Sequence, residues 1–215
     1  MDIVVLISGR GSNLEAIAQA YSTGKIKGEI KLVISNRKEA RGLKTAEKFR
    51  IKGEFVDPSI FENREEYDRF LVDRIKKEKP DLVVLAGYMR ILSDNFIKTF
   101  EGKLINIHPS LTPAFKGLKA QKQAIEYGAK FSGCTVHFVT RDLDAGPVIV
   151  QAVVPITLDD TEESLTEKIL EYEHRVYPQA IKWISENRVK INGRKVIVEG
   201  ARYGTLPVNP ALEDF

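Results

Sequence analysis

Apolar residues in this chain follow two spacings, and the alternation between them is the main structural signal. Short runs of Val, Ile and Leu at residues 3–8, 29–35, 54–56, 82–86, 104–108, 134–139 and 148–154 read as strands. Between them, residues 14–21, 42–50, 64–79, 94–100, 119–127 and 164–187 carry apolar positions at helical spacing. Strands alternating with helices predict an α/β fold of parallel strands joined by crossover helices. The run Asp81-Leu82-Val83-Val84-Leu85-Ala86-Gly87 is apolar on both alternations, which predicts a central strand covered on both faces. Pro178 lies inside the last helix, and its missing N–H predicts a kink or break near Tyr177. Beyond it, residues 189–198 predict a hairpin turning at Asn192-Gly193 in a type I′ turn. The stretch from Gly204 onward has two prolines and no periodicity and reads as irregular.

Length and composition narrow the classes. At 215 residues, one large α/β domain over 1–188 with a C-terminal hairpin and tail over 189–215 accounts for the chain. The 43% hydrophobic and 29% charged residues suit a globular protein and exclude a disordered one. With 33 basic against 30 acidic residues, charge gives no reason to expect nucleic acid or a membrane surface as partner. No apolar run is long enough to span a bilayer, and the start lacks the basic region of a signal segment. The single cysteine, Cys134, excludes an intrachain disulfide and a thiolate zinc cluster. The expectation is a cytoplasmic, reduced protein.

Two stretches carry candidate chemistry. Ser8-Gly9-Arg10-Gly11-Ser12-Asn13 joins the first strand to the first helix, where exposed N–H groups attract an anion and Ser12 or Asn13 can cap the helix. The alternative is a capped turn that holds nothing. The loop matches neither the dinucleotide fingerprint nor the Walker A lysine spacing. In open α/β sheets ligands bind beyond the carboxyl ends of strands, and the predicted topology puts this loop on the same edge as Asn106 and His108.

Asn106 and His108 sit two residues apart at the end of one strand, and Pro109 keeps His108 extended. That pairing presents a neutral amide donor beside a titratable ring. Asp144, in a loop closed by Gly146, is a carboxylate suited to stabilising the imidazolium. The bland counterpart is a surface aspartate and a hydrogen-bonded histidine. His137, inside an apolar strand, reads as a satisfied core imidazole, and His174 as solvent-exposed. The three histidines lack the spacing of a metal site, and Cys134 has no adjacent base to make it a nucleophile.

Beyond these residues, the segments ISGRGSNLEAI, VLAGYMRILS, LINIHPSL, GCTVHFV, LDAGPVIVQA and EHRVYPQAI resemble, in order, the folate-dependent glycinamide ribonucleotide formyltransferase family. The resemblance implies a Rossmann-like formyltransferase fold, a mostly parallel sheet flanked by helices with antiparallel C-terminal strands. It implies a purine-synthesis transferase using 10-formyltetrahydrofolate as formyl-donor co-substrate and phosphoribosylglycinamide as acceptor, acting without a metal as a monomer or homodimer. Asn106 would stabilise the oxyanion, His108 would donate a proton, and Asp144 would favour the protonated ring. Gly11, Ser12 and Asn13 would hold the substrate phosphate, and Leu170, Glu171, Tyr172 and Glu173 the glycinamide end. Arg64, Met89, Arg90, Ile91, Leu92, Thr140, Arg141, Asp142 and Leu143, with Asn106, would line the folate site.

Without that resemblance, Glu173 reads as a solvated helix-face carboxylate, residues 89–92 as ordinary core, and Arg64 as the charged start of a helix. The loop Leu111-Thr112-Pro113-Ala114-Phe115-Lys116-Gly117 departs from many relatives, which leaves its conformation open. Methionyl-tRNA formyltransferase shares the signature but carries a further domain for which the tail is too short. A 10-formyltetrahydrofolate hydrolase and a non-catalytic phosphate-binding module remain the alternatives.

Overall fold

The structure is a computed structural model that describes residues 1–213; the last two residues of the expected tail, Asp214 and Phe215, lie outside the described residues. The chain forms two compact units, one from Met1 to Asn106 and one from Ile107 onward.

In the first unit the order is β1 (Ile3–Ile7), α1 (Ser12–Ser22), β2 (Ile30–Ser35), α2 (Arg41–Lys48), β3 (Gly53–Phe55), α3 (Arg64–Lys77), β4 (Leu82–Leu85) and α4 (Asp94–Thr99). The last strand, β5 (Leu104–His108), crosses the boundary with Asn106 and Ile107 on either side. The strands lie side by side as β3-β2-β1-β4-β5, and every pairing is parallel. β1 and β4 are buried at every position, as the two-sided apolar run at residues 81–87 predicts for β4. Asn63 caps α3 by accepting the Glu66 N–H, with acidic residues in the first turn and basic ones in the last, all favourable to the helix dipole. Arg74 donates two hydrogen bonds to Glu54, at 2.7 and 2.6 Å, and ties α3 to β3.

The second unit contains α5 (Ala120–Tyr127), β6 (Phe131–Phe138), β7 (Val148–Pro155), α6 (Glu162–Ser185), β8 (Val189–Asn192), β9 (Lys195–Val198) and β10 (Val208–Asn209). β6, β7 and β10 pair antiparallel in that order, and β8 and β9 make a separate two-stranded sheet. Thus the mostly parallel α/β class with antiparallel C-terminal strands is the fold observed.

Three details correct the sequence reading. Pro178 does not break α6, which runs uninterrupted from Glu162 to Ser185. The lost bond and ring clash cost roughly 3 kcal/mol, but Val176, Tyr177, Ala180, Ile181 and Trp183 around it are fully buried and hold the helix on the core. The hairpin turns one residue later than expected: Asn192 pairs with Lys195, and the loop is Gly193-Arg194. Only Gly193 has positive φ, at 59°, the pattern of a type II′ rather than a I′ turn. The irregular tail contains β10, which pairs Val208 with Ala152 and Asn209 with Gln151; two residues are too few to show a period. No helix among the described residues is long and apolar enough to cross a membrane.

Candidate active site

The loop after β1 is built on a close approach between backbones. Gly11 adopts φ 79°, and a Cβ there would stand 2.5 Å from Gly42 Cα at the start of α2. The Gly42 N–H donates to the Gly9 carbonyl at 3.1 Å, which fixes the two loops to each other. Gly11 is itself the helix cap, with no side-chain capping bond, so Ser12 and Asn13 occupy the first turn rather than capping it. That correction leaves the first-turn N–H groups of α1 at the carboxyl edge of the sheet.

Ser8, part of the candidate loop but given no role from the sequence, organises the same edge. Its hydroxyl donates to Asn36 Oδ1 at 2.5 Å and accepts from the Met89 N–H at 2.7 Å. The segment after β4 is therefore anchored beside the first loop. Met89 and Ile91 are exposed and Leu92 is buried, so the segment offers apolar surface and is not ordinary core throughout. The Arg90 guanidinium stacks over the Tyr67 ring at 4.7 Å. Asp68, overlooked by sequence reasoning, is buried and accepts the Ser93 N–H. Burial pushes the Asp68 carboxyl up, while Ser93 and the charges of Arg90 and Arg64 pull the other way. Arg64 is exposed and paired with Glu65 at 2.9 Å. Asn106, half-buried, ends the first unit's part of β5, on the same carboxyl edge as Gly11 and Met89.

His108 closes β5 and is only 5% exposed. Its Nδ1 stands 3.3 Å from Asp144 Oδ2, and its Nε2 2.9 Å from the Phe115 carbonyl oxygen. Both ring nitrogens thus face acceptors, an arrangement fully satisfied by the protonated imidazole. Asp144 is 9% exposed and lies in the left-handed region at φ 45°. Its Oδ2 also accepts the Gly117 N–H at 2.9 Å. Gly146 makes the sharp return possible, since a Cβ there would fall 1.7 Å from the Phe138 carbonyl oxygen. Ahead of Asp144, Arg141, Asp142 and Leu143 are exposed and Thr140 is half-buried.

His137 is buried with Nδ1 2.9 Å from the Phe138 carbonyl, as a satisfied core imidazole should be. Sequence reasoning missed the other side of the ring: Nε2 stands 3.8 Å from Asp144 Oδ1, so the carboxylate lies between two histidines. Their separation by 29 residues from each other hides that relation from any local pattern. Burial pushes the His137 pKa down, against the upward pulls of the Phe138 carbonyl and Asp144.

Residues 170–173 lie on α6. Glu171 is exposed and Leu170 and Tyr172 are half-buried. Glu173 is only 5% exposed, so the solvated carboxylate expected from the sequence alone is overturned. Its charge reaches Cys134 on β6, whose thiol is pushed up by burial first and by Glu173 second. His174 is half-buried rather than solvent-exposed. Among the described residues, no group of three or more His, Cys, Asp or Glu side chains is placed to hold a metal ion.

The family model described as Formyl transferase matches residues 1–181. The phosphoribosylglycinamide formyltransferase of Escherichia coli (strain K12) is 46% identical over 202 residues, covering 94% of this chain and 95% of the relative. A trifunctional purine biosynthetic protein adenosine-3 from Gallus gallus is 44% identical over 88% of this chain, which spans 19% of that longer protein. Among solved structures, glycinamide ribonucleotide transformylase 1 from Symbiobacterium toebii superposes with a TM-score of 0.90 at 46% identity, covering 92% of this chain and 93% of its own.

Proposed function

From a chain that belongs to the formyl transferase family, we propose an enzyme that moves the formyl group of 10-formyltetrahydrofolate to the amine of phosphoribosylglycinamide. The observation that carries this reading is the buried His108–Asp144 pair, 3.3 Å apart, at the end of the strand that also bears Asn106. Such a pair supplies a held proton, and the neighbouring amide supplies a donor for negative charge on oxygen.

In the proposed reaction the amine nitrogen forms a bond to the formyl carbon, and the carbonyl electron pair moves onto oxygen. The Asn106 side-chain N–H donates to that oxyanion. Collapse restores the carbonyl and breaks the bond to N10 of the folate. N10 takes the His108 proton, and the ring recovers one from the newly acylated nitrogen. Asp144 holds the ring in orientation and compensates its positive charge. The first-turn N–H groups at Gly11, Ser12 and Asn13 hold the phosphate, and Glu173, with Leu170, Glu171 and Tyr172, engages the glycinamide end. The exposed apolar Met89 and Ile91, with Arg90, Leu92 and residues 140–143, receive the folate, and Arg64 its glutamate carboxylates.

Residues 1–188 form the catalytic domain in this reading, with the hairpin and tail as an appendage, in a monomer or homodimer. A reducing cytoplasm suits the free Cys134 thiol, and no metal takes part. The test is the absorbance change when enzyme is mixed with 10-formyl-5,8-dideazafolate, with and without phosphoribosylglycinamide. Deformylation that requires the amine supports transfer. Deformylation without it makes the protein a hydrolase, and no reaction from folded protein leaves a binding module.

A further inference from the structure

A second feature of the first unit lies outside the proposed machinery. Ser8, Gly9 and Arg10 after β1 and Arg37, Lys38, Glu39, Ala40 and Arg41 ahead of and into α2 line an open cavity of about 630 Å³ at the surface, and its charged residues are exposed. That volume is in the range of small-molecule sites. Residues 11–13, assigned above to the substrate phosphate, are not in its wall.

Four of the wall residues are cations and one is a carboxylate, a local excess of three positive charges. None of Arg10, Arg37, Lys38 or Arg41 is held in an ion pair among the described residues.

The loop that presents them is fixed. The Ser35 hydroxyl accepts the Arg37 N–H at 3.0 Å and donates to the Arg37 carbonyl at 2.8 Å. The Ala40 N–H returns to that carbonyl at 3.3 Å, and Gly42 is tied to Gly9. A charged ligand therefore meets a turn whose backbone ordering is already complete.

We infer that this cavity is an anion site for a ligand bearing a diphosphate group. A single phosphate, at about −1.5 to −2, leaves part of the local charge uncompensated, whereas two linked phosphoryl groups match it and reach guanidinium groups on both loops. No aromatic side chain lines the cavity, so a nucleoside diphosphate is recognised through its phosphates and its base is not stacked. The ligand is then either a nucleoside diphosphate or free diphosphate, and the two share the chemistry that binds.

The test is calorimetric titration of the full chain, at fixed ionic strength, with inorganic diphosphate, a nucleoside diphosphate and orthophosphate, each with and without saturating phosphoribosylglycinamide. One saturable site is expected for diphosphate compounds, unaffected by the ribonucleotide. Orthophosphate should bind about tenfold more weakly, and the Arg37→Ser, Arg41→Ser double variant should lose at least about tenfold in diphosphate affinity, the scale of losing charge-assisted hydrogen bonds. Formyl transfer by that variant, measured without diphosphate, should be unchanged, which keeps this site separate from the proposed function. Binding of both diphosphate compounds supports the site with the diphosphate alone as determinant; binding of the nucleotide only supports it with a nucleotide as ligand. Absence of saturable binding, displacement by the ribonucleotide, equal affinity for orthophosphate, or undiminished binding by the double variant overturns it.

Discussion

The carbonyl oxygen of Phe115 lies 2.9 Å from His108 Nε2, on the side of the ring away from Asp144. The nitrogen that would give its proton to a leaving group is therefore occupied by the protein's own loop. Gly117, two residues later, donates to the same Asp144 carboxylate that faces the ring, so the loop is fastened to both members of the pair. Phe115 makes this contact in the left-handed region, at φ 50°, a conformation that side chains other than glycine seldom adopt. In the proposed reaction, donation from His108 Nε2 would require this carbonyl to give way first.

Asp144→Asn tests the carboxylate. The amide retains the size of the side chain and can still accept the Gly117 N–H, but it removes the charge facing His108 Nδ1. Turnover should fall by about 10²–10⁴-fold, the usual contribution of a positioned acid or base, with little change in the thermal midpoint. A pH–rate profile close to wild type in height and shape would remove Asp144 from the mechanism.

Asn106→Ala tests the oxyanion donor. Losing one such donor should cost about 2.7–4 kcal/mol of transition-state stabilisation, appearing in kcat rather than in KM. Steady-state kinetics separate the two parameters. A rise in KM with kcat retained would make Asn106 a folate-binding residue only.

The same residues show what a linear pattern can carry. Parallel strands were legible because β1 and β4 are apolar at every position, and Asn106 and His108 were legible because they share one strand at a spacing of two. The distant partners of Ser8, Asp68 and His137 were not. Each acts through a partner far along the chain: Ser8 through Asn36 and Met89, Asp68 through Ser93, His137 through Asp144. Polar residues of this kind have no period, so nothing local separates them from solvated ones. Glu173 failed for a related reason, since the sequence shows a charge on a helix but not which face the core covers.

His137 should make stability depend on pH in one direction. Its folded pKa is pushed below the ordinary 6.5 by burial, so the unfolded chain binds the proton more tightly. Stability from this group is complete above pH 6.5 and is lost as pH falls below it toward the depressed native value. Chemical denaturation between pH 8 and pH 5, compared with a folded His137→Asn variant, measures the difference; equal slopes in both proteins would exclude His137 as the source.

Arg194 gives the hairpin a part in holding the Asp144 loop. From the second position of the β8–β9 turn, its guanidinium donates to the Ala145 carbonyl at 2.9 Å, one residue beyond Asp144. Asp144 sits at positive φ, a conformation that its surroundings must enforce. Because Arg194 is exposed, the bond contributes about 1 kcal/mol at most. Arg194→Ala should therefore lower kcat by about fivefold or less while leaving the KM for phosphoribosylglycinamide in place. The loop amides of residues 141–146 should exchange hydrogen faster in the variant. Arg194→Lys, which retains a donor, should recover most of the rate. If exchange in that loop is unchanged by Arg194→Ala, the hairpin does not position Asp144, and any loss of rate has another origin.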